Sequence, residues 1–108
     1  MFNKFSKLAI VFLATLSSFT YAEGSNSTGK ITLVLLYEGH SGVLIKHESM
    51  SDPDECGRQD YYILPDTNHH FNESYSLLLS ASAAKRDVQF TIGGCHQGIP
   101  RIKNIYLF

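Results

Sequence analysis

A single segment of the chain has the periodicity of an amphipathic helix, and it lies between segments that look like β-strands. The apolar face of this helix has residues at i, i+4, i+7, i+8 and i+11, namely Phe71, Tyr75, Leu78, Leu79 and Ser82. Strand-like segments lie on both sides of it, over 30–38, 43–48, 61–64, 88–95 and 101–108. The sequence therefore predicts the order β-β-β-α-β-β, with the helix over 71–85.

This order restricts the fold class. Five short strands leave few exposed edges when they curl into a partly closed barrel, and one helix can then cover an end of that barrel. A five-stranded barrel of this kind is the OB-fold. We therefore predict a mainly β (β+α) domain, a small five-stranded OB-fold-like barrel or curled sheet with one packed helix. The alternative is an open α+β sheet with the helix on one face.

Alternation also predicts which side chains of the first and last strands share a face. In the first strand one face carries Ile31, Leu33, Leu35 and Tyr37. In the last strand Ile102, Asn104, Tyr106 and Phe108 share one face, and the opposite face carries Lys103, Ile105 and Leu107.

Residues 1–22 have the features of a secretory signal peptide. Two basic residues, Lys4 and Lys7, precede an apolar run over 8–16, and Ala22 ends a Thr-Tyr-Ala sequence with small residues at positions −3 and −1. The run is shorter than the roughly 20 apolar residues that a membrane-spanning helix needs. We therefore predict cleavage after Ala22, a secreted or periplasmic product of bacterial type, and no stable membrane anchor.

Export would leave a flexible polar arm over 23–29 and a single OB-like domain over 30–108. This mature chain keeps seven Lys and Arg residues against ten Asp and Glu residues, which gives a net charge of −3 with histidine neutral. Such a charge provides no electrostatic attraction for phosphate backbones or anionic membranes. A nucleic-acid-binding OB protein is therefore disfavoured.

The two cysteines, Cys56 and Cys95, are predicted to form a disulfide. An even pair of cysteines in a short exported chain is typical of a disulfide framework. A metal site would have to combine these thiols with His96 or other histidines, but no CxxC or HxxxH spacing is present. We therefore expect no metal and no free thiol for catalysis.

Candidate chemical groups are few. The chain contains no GxSxG, HExxH or phosphate-loop motif, so we predict a protein that is not an enzyme and has no cofactor. A metal or anion site at the adjacent His69 and His70, and an acid–base pair of histidine with Asp60, Asp66 or Glu73, are weaker interpretations than solvated side chains. Tyr61 and Tyr62 alternate, so one of them faces outward, where it could stack on a sugar or a base or cover the barrel.

Several of these features occur together in one family. They are the opening Gly29-Lys30-Ile31, Cys56 before the third strand, the helical segment 76–85, and Gly94-Cys95 after the fourth strand. In the order and spacing of these features, residues 29–108 resemble the binding subunits of AB5 toxins, in particular the subtilase-cytotoxin-B-like family. The resemblance implies an OB barrel, a ring of five subunits and glycan binding, although this chain is shorter and lacks tryptophan.

The sequence thus favours a secreted, non-enzymatic binding domain, glycan-binding and oligomeric as toxin B subunits are, with a glycan or protein partner. The alternative is a monomeric periplasmic or secreted inhibitor, or a structural envelope protein. No residue of the chain is assigned to ligand binding at this stage.

Overall fold

A computed structural model describes residues 25–108 of the chain. The predicted signal peptide over 1–22 lies outside the described residues. The elements are β1 (Ser25–Leu36), β2 (Gly42–His47), β3 (Tyr62–Pro65), α1 (Phe71–Ala84), β4 (Asp87–His96) and β5 (Ile99–Leu107). Their order, β-β-β-α-β-β, confirms the prediction from the sequence.

The five strands close into a barrel in the order β1-β2-β3-β5-β4. Neighbouring strands are antiparallel except β3 and β5, which run parallel through the pair Ile63 and Arg101. Closure depends on the length of β1, because residues 25–30 pair with β4 whereas residues 31–36 pair with β2. The OB-fold-like barrel is therefore confirmed, and the open sheet is excluded.

Residues 25–29 belong to this barrel, so the prediction of a flexible arm over 23–29 is wrong for them. They pair along β4 from Ser25 opposite Ile92 to Gly29 opposite Val88. Ser27 is buried, and its hydroxyl lies 2.8 Å from the hydroxyl of Tyr62. Polar side chains did not indicate a strand, but a strand ladder needs only backbone groups, which β4 supplies here.

The barrel core is formed by inward side chains of all five strands and of α1. Its buried members are Val43, Ile45, Tyr62, Leu64, Leu78, Ala81, Val88, Phe90, Ile92 and Ile102. The side chain of His47 is also buried; its Nε2 lies 3.1 Å from the Val88 carbonyl oxygen, and its Nδ1 lies 3.3 Å from the Ser49 backbone nitrogen.

Two irregularities in pairing reverse the faces predicted for β1 and β5. In β1 the register shifts between Ile31 and Leu33, so Ile31 and Val34 pack against the core, while Leu35 packs outside it. In β5 the register shifts next to Ile102. After this shift Ile105 and Leu107 pack against the core, and the exposed residues are Asn104, Tyr106 and Phe108. A bulge adds one residue to one strand and so exchanges the two faces beyond it.

Helix α1 packs on the barrel through Leu78 and Ala81, which are fully buried, with Phe71 and Tyr75 partly buried beside them. Leu79, predicted on the same face, is instead 45% exposed. The helix contacts the barrel on the Ala81 side of Leu78, because alanine lets the helix backbone come close. The prediction for Leu79 is therefore wrong.

The predicted disulfide between Cys56 and Cys95 is present, with the two Cα atoms 5.8 Å apart. It lies outside the barrel core and joins the loop between β2 and β3 to the end of β4. Within residues 25–108, no helix is both long and apolar enough to cross a membrane.

Candidate functional site

A second apolar cluster lies on the outer side of the barrel wall. Leu44, Ile63 and Ile99 are buried there, with Leu35 and Tyr61 partly buried against them. In β2 and β3 these side chains alternate with those that enter the core, so they point away from it. An outer face of a small barrel is ordinarily polar and solvated, so this cluster marks an unusual surface.

Next to this cluster is a cleft of about 280 Å³. Its lining consists of Leu35, Tyr37, His40, Leu44, Arg58, Tyr61 and Ile99. These residues come from β1, β2, the start of β5, and the loops after β1 and β2. This face of the central strands, flanked by the β1–β2 and β4–β5 turns, is where OB-folds bind oligonucleotides and oligosaccharides.

One wall of the cleft is the turn after β1. The His40 N–H donates to the Tyr37 carbonyl over 3.0 Å, which closes the turn and brings the two rings to a centroid distance of 5.8 Å. A Cβ at Gly39 would lie 3.3 Å from Tyr37 Cε1, so glycine leaves space for the tyrosine ring. Tyr37 is 57% exposed, and it therefore offers an aromatic surface to a ligand.

His40 belongs to the same wall. Its Nδ1 is buried and has no hydrogen-bond partner among the described residues. Buried polar atoms are nearly always paired in proteins, so an unpaired ring nitrogen at a cleft is a notable feature.

The opposite wall is formed by Arg58 and Tyr61, and Asp60 is the partner of Arg58. The Arg58 guanidinium donates from Nε and Nη2 to the two carboxylate oxygens of Asp60, each over 2.6 Å. These hydrogen bonds are the main reason that the pKa of Asp60 lies below its ordinary value. The fork holds the guanidinium at a fixed orientation beside the cleft.

Tyr61 is the outward tyrosine, and Tyr62 is fully buried. The Tyr62 hydroxyl bonds the carbonyl of Ser49 and the N–H of Ser51, each over 2.9 Å. The ring of Tyr61 already has the Lys46 Nζ 5.1 Å and the Arg58 Cζ 5.6 Å from its centroid. A ligand would therefore meet Tyr37 as the freer aromatic face, rather than Tyr61.

The turn between β4 and β5 contacts the wall formed by Tyr37 and His40. The Ser41 N–H donates to Gln97 Oε1 over 2.8 Å, and the Ser41 hydroxyl lies 3.0 Å from His96 Nε2. These contacts join the residue after His40 to the end of β4. The two turns that flank the cleft are therefore joined by side-chain hydrogen bonds.

The other residues considered from the sequence lie elsewhere or have other partners. The rings of His69 and His70 are 4.6 Å apart at the exposed start of α1, and neither lines the cleft. Asp60 has an arginine partner rather than a histidine. Over the described residues 25–108, no three His, Cys, Asp or Glu side chains are grouped to hold a metal ion.

Sequence reasoning missed Tyr37, His40 and Arg58 as site residues. A signal was present, because Tyr37 and His40 surround a glycine turn between the first two strands of a predicted OB-fold. Arg58 carried no such signal, since it lies in an irregular loop whose path is set by the disulfide.

No protein-family model, no curated protein and no solved structure matches this chain.

Proposed function

We propose that the chain is a secreted, non-enzymatic binding domain that holds a carbohydrate in the cleft between Tyr37 and Arg58. The observation that supports this most is the convergence of an exposed aromatic ring, an imidazole ring and an ion-paired guanidinium on one small cavity of the OB barrel. The disulfide is compatible with a location outside the cytoplasm, as export requires.

The chemistry of the cleft matches that of a sugar. A sugar ring has apolar C–H faces, which pack on an aromatic ring such as Tyr37, and hydroxyls, which need donors and acceptors around the rim. Arg58 uses Nε and Nη2 for Asp60, and its remaining N–H groups are free to donate to a ligand. A volume of about 280 Å³ is close to the lower limit of ligand pockets, which favours one terminal sugar over a long chain.

Charge argues against a nucleic acid in the same cleft. The Arg58 charge is compensated by Asp60, and the mature chain carries a net charge of −3. Binding to a phosphate backbone depends on several uncompensated Lys and Arg side chains that displace counterions. A neutral or weakly charged ligand fits this site better.

Replacing Tyr37 with alanine should weaken sugar binding by about ten- to a hundredfold, because the variant loses the aromatic surface against which the sugar packs. Isothermal titration calorimetry with a sugar selected on a glycan array measures this affinity. Leu79→Ala is the control, since Leu79 is 45% exposed on α1 and does not line the cleft. Equal losses in both variants would contradict the proposed site.

We also propose that the domain assembles through strand edges. β5 has nine residues, but its pairing with the four-residue β3 is limited to Ile63 and Arg101. The outer edge of β5 beyond Lys103 therefore has no partner strand within residues 25–108. Tyr106 and Phe108 are exposed in this part of the chain. An open edge with apolar side chains favours pairing with another chain.

Native mass spectrometry of the exported protein tests processing and assembly together. We expect an N-terminus at Glu23 and a complex of several mature chains, with five in the ring that the toxin-subunit resemblance implies. Retention of Met1 in the exported fraction would contradict the signal peptide. A mass of one mature chain at micromolar concentration would contradict assembly and favour the monomeric inhibitor or envelope protein.

A further inference from the structure

The Cys56–Cys95 disulfide connects the two segments that carry the opposite walls of the cleft. Cys56 lies two residues before Arg58, in the loop 48–61 that we call the cleft loop. Cys95 precedes His96 and Gln97, whose side chains hold Ser41 beside His40. The bond therefore fixes the position of Arg58 relative to the wall formed by Tyr37 and His40.

Few other links hold the outer part of the cleft loop. They are a hydrogen bond of 2.6 Å from the Gly94 N–H to Asp54 Oδ2, and the contacts of the Arg58 guanidinium with Asp60 and with the ring of Tyr61. The carboxylate of Asp52 accepts from the N–H groups of Cys56 and Gly57, but these bonds stay within the loop. Exposed hydrogen bonds compete with water, so they do not replace a covalent bond as the tie between residues 54–60 and the barrel.

The barrel, by contrast, does not depend on the bond for its packing. Neither cysteine belongs to the core cluster, and the cleft loop contributes only Met50 to its border. The strand ladder closes through backbone pairs of all five strands. We therefore expect the barrel to stay folded when the bond is broken.

We propose that this disulfide is a redox switch on the binding cleft. With the bond formed, the cleft is complete. With the bond reduced, the outer cleft loop moves away, Arg58 leaves the cleft and binding is lost. The part of this inference that concerns the ligand rests on the proposed function, whereas the opening of the loop does not.

The reductant is a dithiol, and the exchange is balanced. Cys95 is exposed and Cys56 half-buried, so a dithiol thiolate can attack Sγ of Cys95, form a mixed disulfide and release Cys56 as a thiolate. The second thiol of the reagent then attacks the reagent sulfur that is bonded to Cys95. This closes the ring of the reagent and releases Cys95 as a thiolate. Two electrons pass from the dithiol to the protein, the reagent becomes a cyclic disulfide, and its two protons pass to the cysteine thiolates.

Limited trypsin digestion of the mature protein, with and without dithiothreitol, tests the switch. We expect reduction to speed cleavage after Arg58 at least tenfold, with cleavage after Lys103 in β5 and the far-ultraviolet circular dichroism unchanged. The double variant Cys56→Ala, Cys95→Ala should be cleaved rapidly after Arg58 whether or not dithiothreitol is present. Unchanged cleavage at Arg58, or unfolding of the barrel on reduction, would overturn the inference.

Sugar titrations of the oxidised and reduced protein form the second arm. We expect affinity to fall at least tenfold on reduction. If the oxidised protein binds no sugar, the proposed function fails, and the digestion still decides whether the loop is released. If the oxidised and reduced proteins bind sugar equally, the switch fails and the proposed function stands.

Discussion

Replacing Gly42 with alanine is expected to lower the free energy of unfolding by about 2–6 kcal/mol. Gly42 begins β2 with φ +148°, a conformation that side chains rarely adopt. A Cβ there would overlap the carbonyl oxygen of Leu64 and lie 2.9 Å from the Cα of Pro65. Both atoms belong to the backbone of β3, which cannot withdraw without losing its pairing with β2.

Gly57→Ala is the matched control for this change. Gly57 also has a positive φ, +103°, but a Cβ there would meet no atom within 4 Å. This variant should therefore show only the conformational cost, about 1–3 kcal/mol. Urea denaturation of both variants measures the difference. Equal costs would contradict the close approach of β2 and β3 at the mouth of the barrel.

Replacing Leu78 with alanine should cost about 2–5 kcal/mol, because its side chain is fully buried between α1 and the barrel. The neighbouring Leu79→Ala should change stability by less than about 1 kcal/mol, since Leu79 is 45% exposed. Thermal or urea unfolding compares the two variants directly. A larger cost at Leu79 than at Leu78 would show that the helix packs on the face that the sequence predicted.

The element order and the disulfide could be predicted because their signals are local. Alternation in β2 and β4, the helical period of α1 and an even cysteine pair each depend on short segments of sequence. The strand over residues 25–29 could not be predicted, because its side chains are polar and its stability comes from β4, about sixty residues away. The two shifts of register could not be predicted for the same reason, because the register is set by the pairing between strands and not by the sequence of one strand.

The cleft was less predictable than the barrel. The outward position of one tyrosine in the pair Tyr61 and Tyr62 followed from alternation, but which of the two faced outward depended on the register of β3. Tyr37, Arg58 and Ile99 are far apart in sequence and meet only because the barrel closes and the disulfide directs the cleft loop. Loops on a rigid scaffold commonly carry the binding residues, and their composition alone does not show where they meet.

The barrel and the loops have separate roles in forming the cleft. Buried aliphatic and aromatic side chains of the core hold the strands together. Leu44 and Ile63 belong to the separate outer cluster, so they are not needed to fill the core. The turn at Tyr37 and the cleft loop then add the polar groups. If the cleft binds a sugar as we propose, changes in these loops should alter ligand choice while the barrel remains the same.

Nuclear magnetic resonance can show whether the cleft between Tyr37 and Arg58 binds a carbohydrate. The oxidised mature protein, labelled with ¹⁵N, is titrated with a panel of simple sugars and short glycans, and amide shifts are mapped on the barrel. We expect saturable shifts that cluster at Leu35, Tyr37, His40, Arg58 and Tyr61. An absence of shifts with every sugar, or shifts confined to the groove between α1 and β5 near Asn68 and Tyr106, would contradict this proposal.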